Sequence, residues 1–120
     1  MATQDRCCTI VPYFKIQAGK TQEFKNVSEK CVEQTKSEAG CLYYGFSYSG
    51  DEAHCREGYT NGEAALAHLQ NVGPLLGELL KLGDLTKLEV HGPEPELAKL
   101  RGPMADFKPQ YFVLEYGFRR

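Results

Sequence analysis

Residues 55–69, CREGYTNGEAALAHL, decide how the chain folds. The first residues alternate as a β-strand does, so Glu57 and Tyr59 share one face and Arg56 and Gly58 the other. Asn61-Gly62 then interrupts the strand. Asn61 suits a helix N-cap, because its side-chain oxygen can accept from a free N–H of the first turn. Ala65, Leu66, Leu69 and Val72 follow at helical spacing. The unit is a strand running directly into a helix, with Glu57 on the one and a lone His68 on the other.

Upstream, CLYYGFSYS (41–49) alternates in the same way. It sets Leu42, Tyr44, Phe46 and Tyr48 against Cys41, Tyr43, Gly45 and Ser47. Gly50-Asp51 supplies a turn into the returning strand, 53–60, and the two form a hairpin. Before it, Phe24, Val27, Cys31 and Thr35 make the buried stripe of a helix over 20–38. Thr21 is expected to cap the start of that helix and Gly40 to end it in the left-handed region. The first strand is CCTIVPYFKI (7–16), with Cys8, Ile10, Phe14 and Ile16 on one face. Pro12 has no N–H to donate to a ladder, which predicts an edge strand or a bulge there.

Downstream, Gly73-Pro74 predicts a helix break, with a new helical piece over 74–82 that carries Leu75, Leu76, Leu79 and Leu80. LTKLEVH (85–91) reads as a fourth strand. The order β-α-β-β-α-β predicts an α+β, ferredoxin-like antiparallel sheet with both helices on one face. The other face is expected to hold Val11, Tyr13, Tyr43 or Tyr44, and Tyr59, an aromatic surface too large to leave in water. The extension, 92–120, or a second copy of the chain then has to cover it. That extension is Pro- and Gly-punctuated, with a short helix near 95–101. It ends in QYFVLEYGF (110–118), a fifth strand that pairs in its own sheet or with a partner chain.

Composition narrows the function classes. The 120 residues are 42% apolar and 25% charged, with a net charge of −2. That fits one globular domain over 1–120, with a core at 7–91 and the extension at 92–120. No basic stripe invites nucleic acid. No apolar run approaches the roughly 20 residues of a membrane span. Pro12 and Lys15 cut short the apolar stretch near the N-terminus, so no membrane partner and a cytoplasmic location are expected. Five cysteines (Cys7, Cys8, Cys31, Cys41 and Cys55) form no CxxC pair and lack metal-ligand spacing. Reduced thiols and no metal follow, although one or two thiols could line a pocket.

Four short pieces occur in order. Ala18-Gly19-Lys20 makes the turn after the first strand, and Glu38-Ala39-Gly40-Cys41-Leu42-Tyr43 joins the first helix to the second strand. Arg56-Glu57-Gly58-Tyr59 lies on the third strand and Ala67-His68-Leu69 on the second helix. At these separations the set, over residues 8–91, resembles the antibiotic biosynthesis monooxygenase family of the dimeric α/β-barrel superfamily. The resemblance implies a homodimer whose sheets face each other as a barrel, and a pocket between each sheet and its own helices. It also implies oxidation of polycyclic aromatic phenols by dioxygen without metal or flavin, or else haem degradation. The chain departs from the pattern in having no Trp, with Tyr59 at the usual Trp position, and in lacking the first-strand Asn of the haem-degrading members. Haem degradation is therefore disfavoured. Residues 92–120 lie outside the usual family length.

Two readings of the ionisable pair stand side by side. In one, Glu57 and His68 form a polar catalytic pair, with His68 as base or orienter. Tyr43, Tyr59, Cys41 and Arg56 then bind a small aromatic or quinone-like ligand with no cofactor. In the other, Glu57 bonds backbone or Arg groups at an interface, His68 sits at an edge, and the tyrosines pack a sheet face. The first makes a cofactor-independent monooxygenase, the second a non-catalytic binding or structural dimer.

Overall fold

In the computed structural model, which describes residues 2–120, β1 (Cys8–Ile16) lies in the middle of the sheet. The other elements are α1 (Thr21–Thr35), β2 (Cys41–Ser49), β3 (Glu52–Tyr59), α2 (Gly62–Leu82), β4 (Gly83–Gly92), α3 (Glu94–Arg101) and β5 (Gln110–Val113). A 3-10 turn at Ala105–Phe107 connects α3 to β5. The strand order is β2-β3-β1-β4-β5. The first four strands are antiparallel, and β5 joins β4 in parallel, so the extension does pair within its own sheet. The result is an open five-stranded mixed sheet on the expected ferredoxin-like α+β plan.

Alternation explains the layering. Cys8, Ile10, Phe14 and Ile16 of β1 are buried toward the helices. They join two apolar clusters, one around Tyr59, Val90, Leu97 and Leu100, the other around Phe24, Val27, Cys31 and Leu79. Between the clusters, β3 presents Glu57 and α2 presents His68, so the polar pair interrupts the core midway.

Several details differ from expectation, each for a physical reason. Pro12 is on a central strand. The β1–β3 pairing skips from Ile10–Glu57 to Tyr13–His54, so the missing N–H falls in a gap of the ladder. There the Pro12 carbonyl lies 2.9 Å from Nδ1 of His54. A bulge between Cys41 and Tyr43 turns Leu42 outward, where it is 39% exposed. The same register sends Tyr44 to the helix side, and Tyr59 is fully buried there, so only Val11, Tyr13 and Tyr43 of the expected set remain on the open face. Thr21 is the first residue of α1 and not its cap; Lys20 holds that position with no side-chain cap bond. Gly40 is not left-handed; a Cβ there would lie 2.6 Å from that of Ala64, so glycine permits close approach of α2. The helix α2 continues through Pro74. An interior proline costs about 3 kcal/mol. Burying Val72 and Leu79 on one stripe, at roughly 1.5–3 kcal/mol each, outweighs it. Finally β5 ends at Val113, not at 118. Beyond it, Leu114 donates to the Gly92 carbonyl and Glu115 accepts from the Thr3 amide, and the chain leaves the sheet.

The extension is held by both packing and charge. Leu97, Leu100 and Met104 are buried to 1% exposure or less. Glu96 accepts from the Gly62 amide at the start of α2 (2.9 Å), from Lys99 (2.9 Å) and from Arg6 (3.2 Å). Among the described residues no helix is long and apolar enough to cross a membrane.

Candidate functional site

Glu57 is the buried carboxyl of the sheet, at 6% exposure. Its position on β3 follows from the two-residue period, which also places Tyr59 beside it. The Tyr59 hydroxyl donates to Oε1 of Glu57 at 2.6 Å. Asn61 caps α2 by accepting from the Ala64 amide at 2.9 Å. Two helical turns on, His68 comes down over β3 with Nε2 3.4 Å from Oε1 of Glu57. On its other side, Nδ1 of His68 lies 2.9 and 3.1 Å from the two oxygens of Glu38. A carboxylate can only accept, so Nδ1 carries the proton and the Nε2 lone pair faces Glu57. The imidazole is flanked by the rings of Tyr44 and Tyr59, with centroids 5.0 and 4.9 Å away. Asn71, three residues along α2, donates to Glu38 at 2.7 Å and fixes it.

The electrostatics follow from burial. Loss of water pushes the Glu57 carboxyl up to about 7, with Glu38 adding to the rise and the Tyr59 and Cys55 hydrogen bonds opposing it. Burial lowers the His68 imidazole, partly offset by Glu38. The Tyr59 phenol is pushed far up by burial and by Glu57, so it stays a neutral donor. A carboxyl with a proton affinity near neutrality, backed by a neutral imidazole and a second carboxylate, can give or take a proton at physiological pH.

This polar group closes one end of a cavity of about 60 Å³ between the sheet and α2. Glu57, His68, Tyr44 and Cys55 line that end. Leucines of α2 and β4 form the sides, and Met104 and Phe107 of the extension complete the wall. Among the described residues, no group of three His, Cys, Asp or Glu is placed to hold a metal ion.

Of the residues singled out in the sequence, the fold brings together Glu57, His68 and Tyr59. Tyr43 and Arg56 lie on the opposite face, the guanidinium 4.8 Å over the ring, because they share the register of Gly58. Cys41 sits half-buried at the edge of the Tyr59 cluster, and burial followed by Glu38 raises its thiol to about 11. It does not line the cavity. The residues sequence reasoning missed are Glu38, Asn71 and Tyr44. Glu38 stands in a loop and is brought to His68 only by the packing of α1 against α2. Asn71 carried a signal, since three residues after His68 is the same helix face.

The fold recurs among solved structures. MupZ from Pseudomonas fluorescens matches over all of this chain and 94% of its own, with 44% identity and a TM-score of 0.94. A candidate antibiotic biosynthesis monooxygenase from Caulobacter crescentus matches 72% of this chain and 88% of its own, at 20% identity and a TM-score of 0.65. Another, from Nitrosomonas europaea, matches 77% and 94%, at 18% identity and a TM-score of 0.68. No family model matches the chain, and no curated protein does.

Proposed function

The chain belongs to one family with MupZ of Pseudomonas fluorescens and shares its fold with the antibiotic biosynthesis monooxygenases, and from that premise we propose a proton-transfer enzyme acting in the cavity beside α2. The observation that carries this reading is the buried Glu57 carboxyl, raised to about 7, at the one polar end of an apolar cavity. Glu57 takes a proton from the substrate, and His68 is the base behind it, held by Glu38. Tyr59 donates to whichever charge remains on Glu57.

The finer reading is cofactor-independent oxidation of a small aromatic or quinone-forming compound. Removing a proton from an acidic methylene of an electron-rich phenol leaves a carbanion that dioxygen can oxidise. The balance is one methylene and one dioxygen in, one carbonyl and one water out. The apolar walls keep water from quenching the anion, and Tyr44, on the cavity wall, supplies a phenolic donor near it. The homodimer implied by the family resemblance belongs to this proposal, with a second copy covering the open face of the sheet.

The test is dioxygen uptake with a panel of polycyclic phenols. Glu57→Gln should lower the rate at least about 100-fold, the usual worth of a positioned acid or base, and His68→Ala comparably. A wild-type chain that consumes no dioxygen with any of them removes the oxidation. Unchanged rates in Glu57→Gln remove Glu57 from the chemistry.

A further inference from the structure

We propose that Phe107 sets the width of the molecule the cavity admits, an inference that rests on the cavity being the substrate site. At about 60 Å³ the cavity is smaller than the ~150 Å³ that encloses a benzene ring in a protein core. A ring therefore enters only if part of the wall yields. Every lining residue other than Met104 and Phe107 belongs to a strand or helix of the β1–β4 core. Those two come from the stretch between α3 and β5. Met104 is 1% exposed and pinned in the Tyr59 cluster. Phe107 is 36% exposed, so its ring has solvent to swing into.

The backbone around Phe107 suits a small local movement. The 3-10 turn Ala105–Phe107 is three residues long, bracketed by Gly102-Pro103 and Lys108-Pro109. Lys108 takes a left-handed φ of 50°, a conformation that non-glycine residues rarely adopt. On either side, α3 is buried through Leu97 and Leu100 and β5 is paired with β4. The turn can thus shift while its flanks stay in place. MupZ matches the chain throughout, whereas the Caulobacter and Nitrosomonas proteins match about three-quarters of it.

The test compares the full-length wild type with Phe107→Ala, Phe107→Leu and Phe107→Trp, titrated with phenol, 1-naphthol and 1-anthrol and read by calorimetry. Phe107→Ala should bind 1-naphthol at least about tenfold tighter than wild type while phenol changes little. Phe107→Leu should fall between them, and Phe107→Trp should weaken both. Phe118→Ala, which alters an exposed tail ring outside the cavity, should match wild type. An order of ring-size preference that is the same in all three Phe107 variants overturns the proposal and leaves proton transfer by Glu57 standing. Binding of none of the phenols by wild type or any variant overturns the cavity as a binding site, and both readings fall together.

Discussion

Glu57 is destabilised by the place it occupies, and the sign of that effect is measurable. Its carboxyl is pushed from the ordinary value near 4 up to about 7, so the folded chain holds a proton that the unfolded chain releases. The stability contribution is full below about pH 4 and is lost as pH climbs through about 7. Glu57→Gln should remove that slope. Relative to wild type it should gain on the order of 2 kcal/mol at pH 8 compared with pH 4, by urea unfolding at both values. Identical pH profiles for the two proteins would place the Glu57 proton elsewhere. The pairing of Glu57 with Tyr59 was legible in the sequence because the two-residue period of a strand is rigid. Tyr43 was indistinguishable from Tyr44 there, because the bulge after Cys41 changes which of the two faces inward. Glu38 was not legible as a partner of His68 at all, since 30 residues separate them and only helix packing unites them.

At the level of elements, periodicity and turn chemistry read well where local forces decide. Asn61 caps α2, Gly19 takes a left-handed φ of 77° after β1, and α3 starts one residue from its expected position. They misled where packing overrode them, as at Pro74 within α2. Charge also joins elements in a way no local pattern announces. Burial alone would raise the Glu96 carboxyl, but the Gly62 amide, Lys99 and Arg6 outweigh it and hold it down at about 2. Its contribution is present above the unfolded value near 4 and is lost as pH falls toward 2. Glu96→Gln should cost on the order of 2 kcal/mol at pH 7 and much less at pH 2.5, seen as a convergence of the two melting curves on acidification. A constant gap between them down to pH 2.5 would show that the carboxylate charge is not what joins α3 to α2.

For the molecule as a whole, the sheet has one covered face and one open. The open face stacks Tyr13 on His54 and His91 on Phe112, and sets Arg56 over Tyr43. Tyr13, Tyr43 and Phe112 are each more than a third exposed. A second copy is the proposed cover, so light scattering at micromolar concentration should return twice the mass of the chain. Replacing both Tyr13 and Tyr43 with Glu should halve it, since charge at the centre of such a face opposes burial. A wild-type particle with the mass of a single chain would remove the dimer. The layered architecture was legible because strand and helix periods are distinct. The position of the fifth strand was not, because an apolar run states only that it needs a neighbour.

One side chain, Glu96, ties together the chain's beginning at Arg6, its middle at Gly62 and its last quarter at Lys99. Fraying that starts in the C-terminal quarter therefore travels to the opening turn of the helix on which His68 rides. Proton-exchange protection of the Gly62 amide is a remote gauge of whether the tail is seated, readable without any substrate.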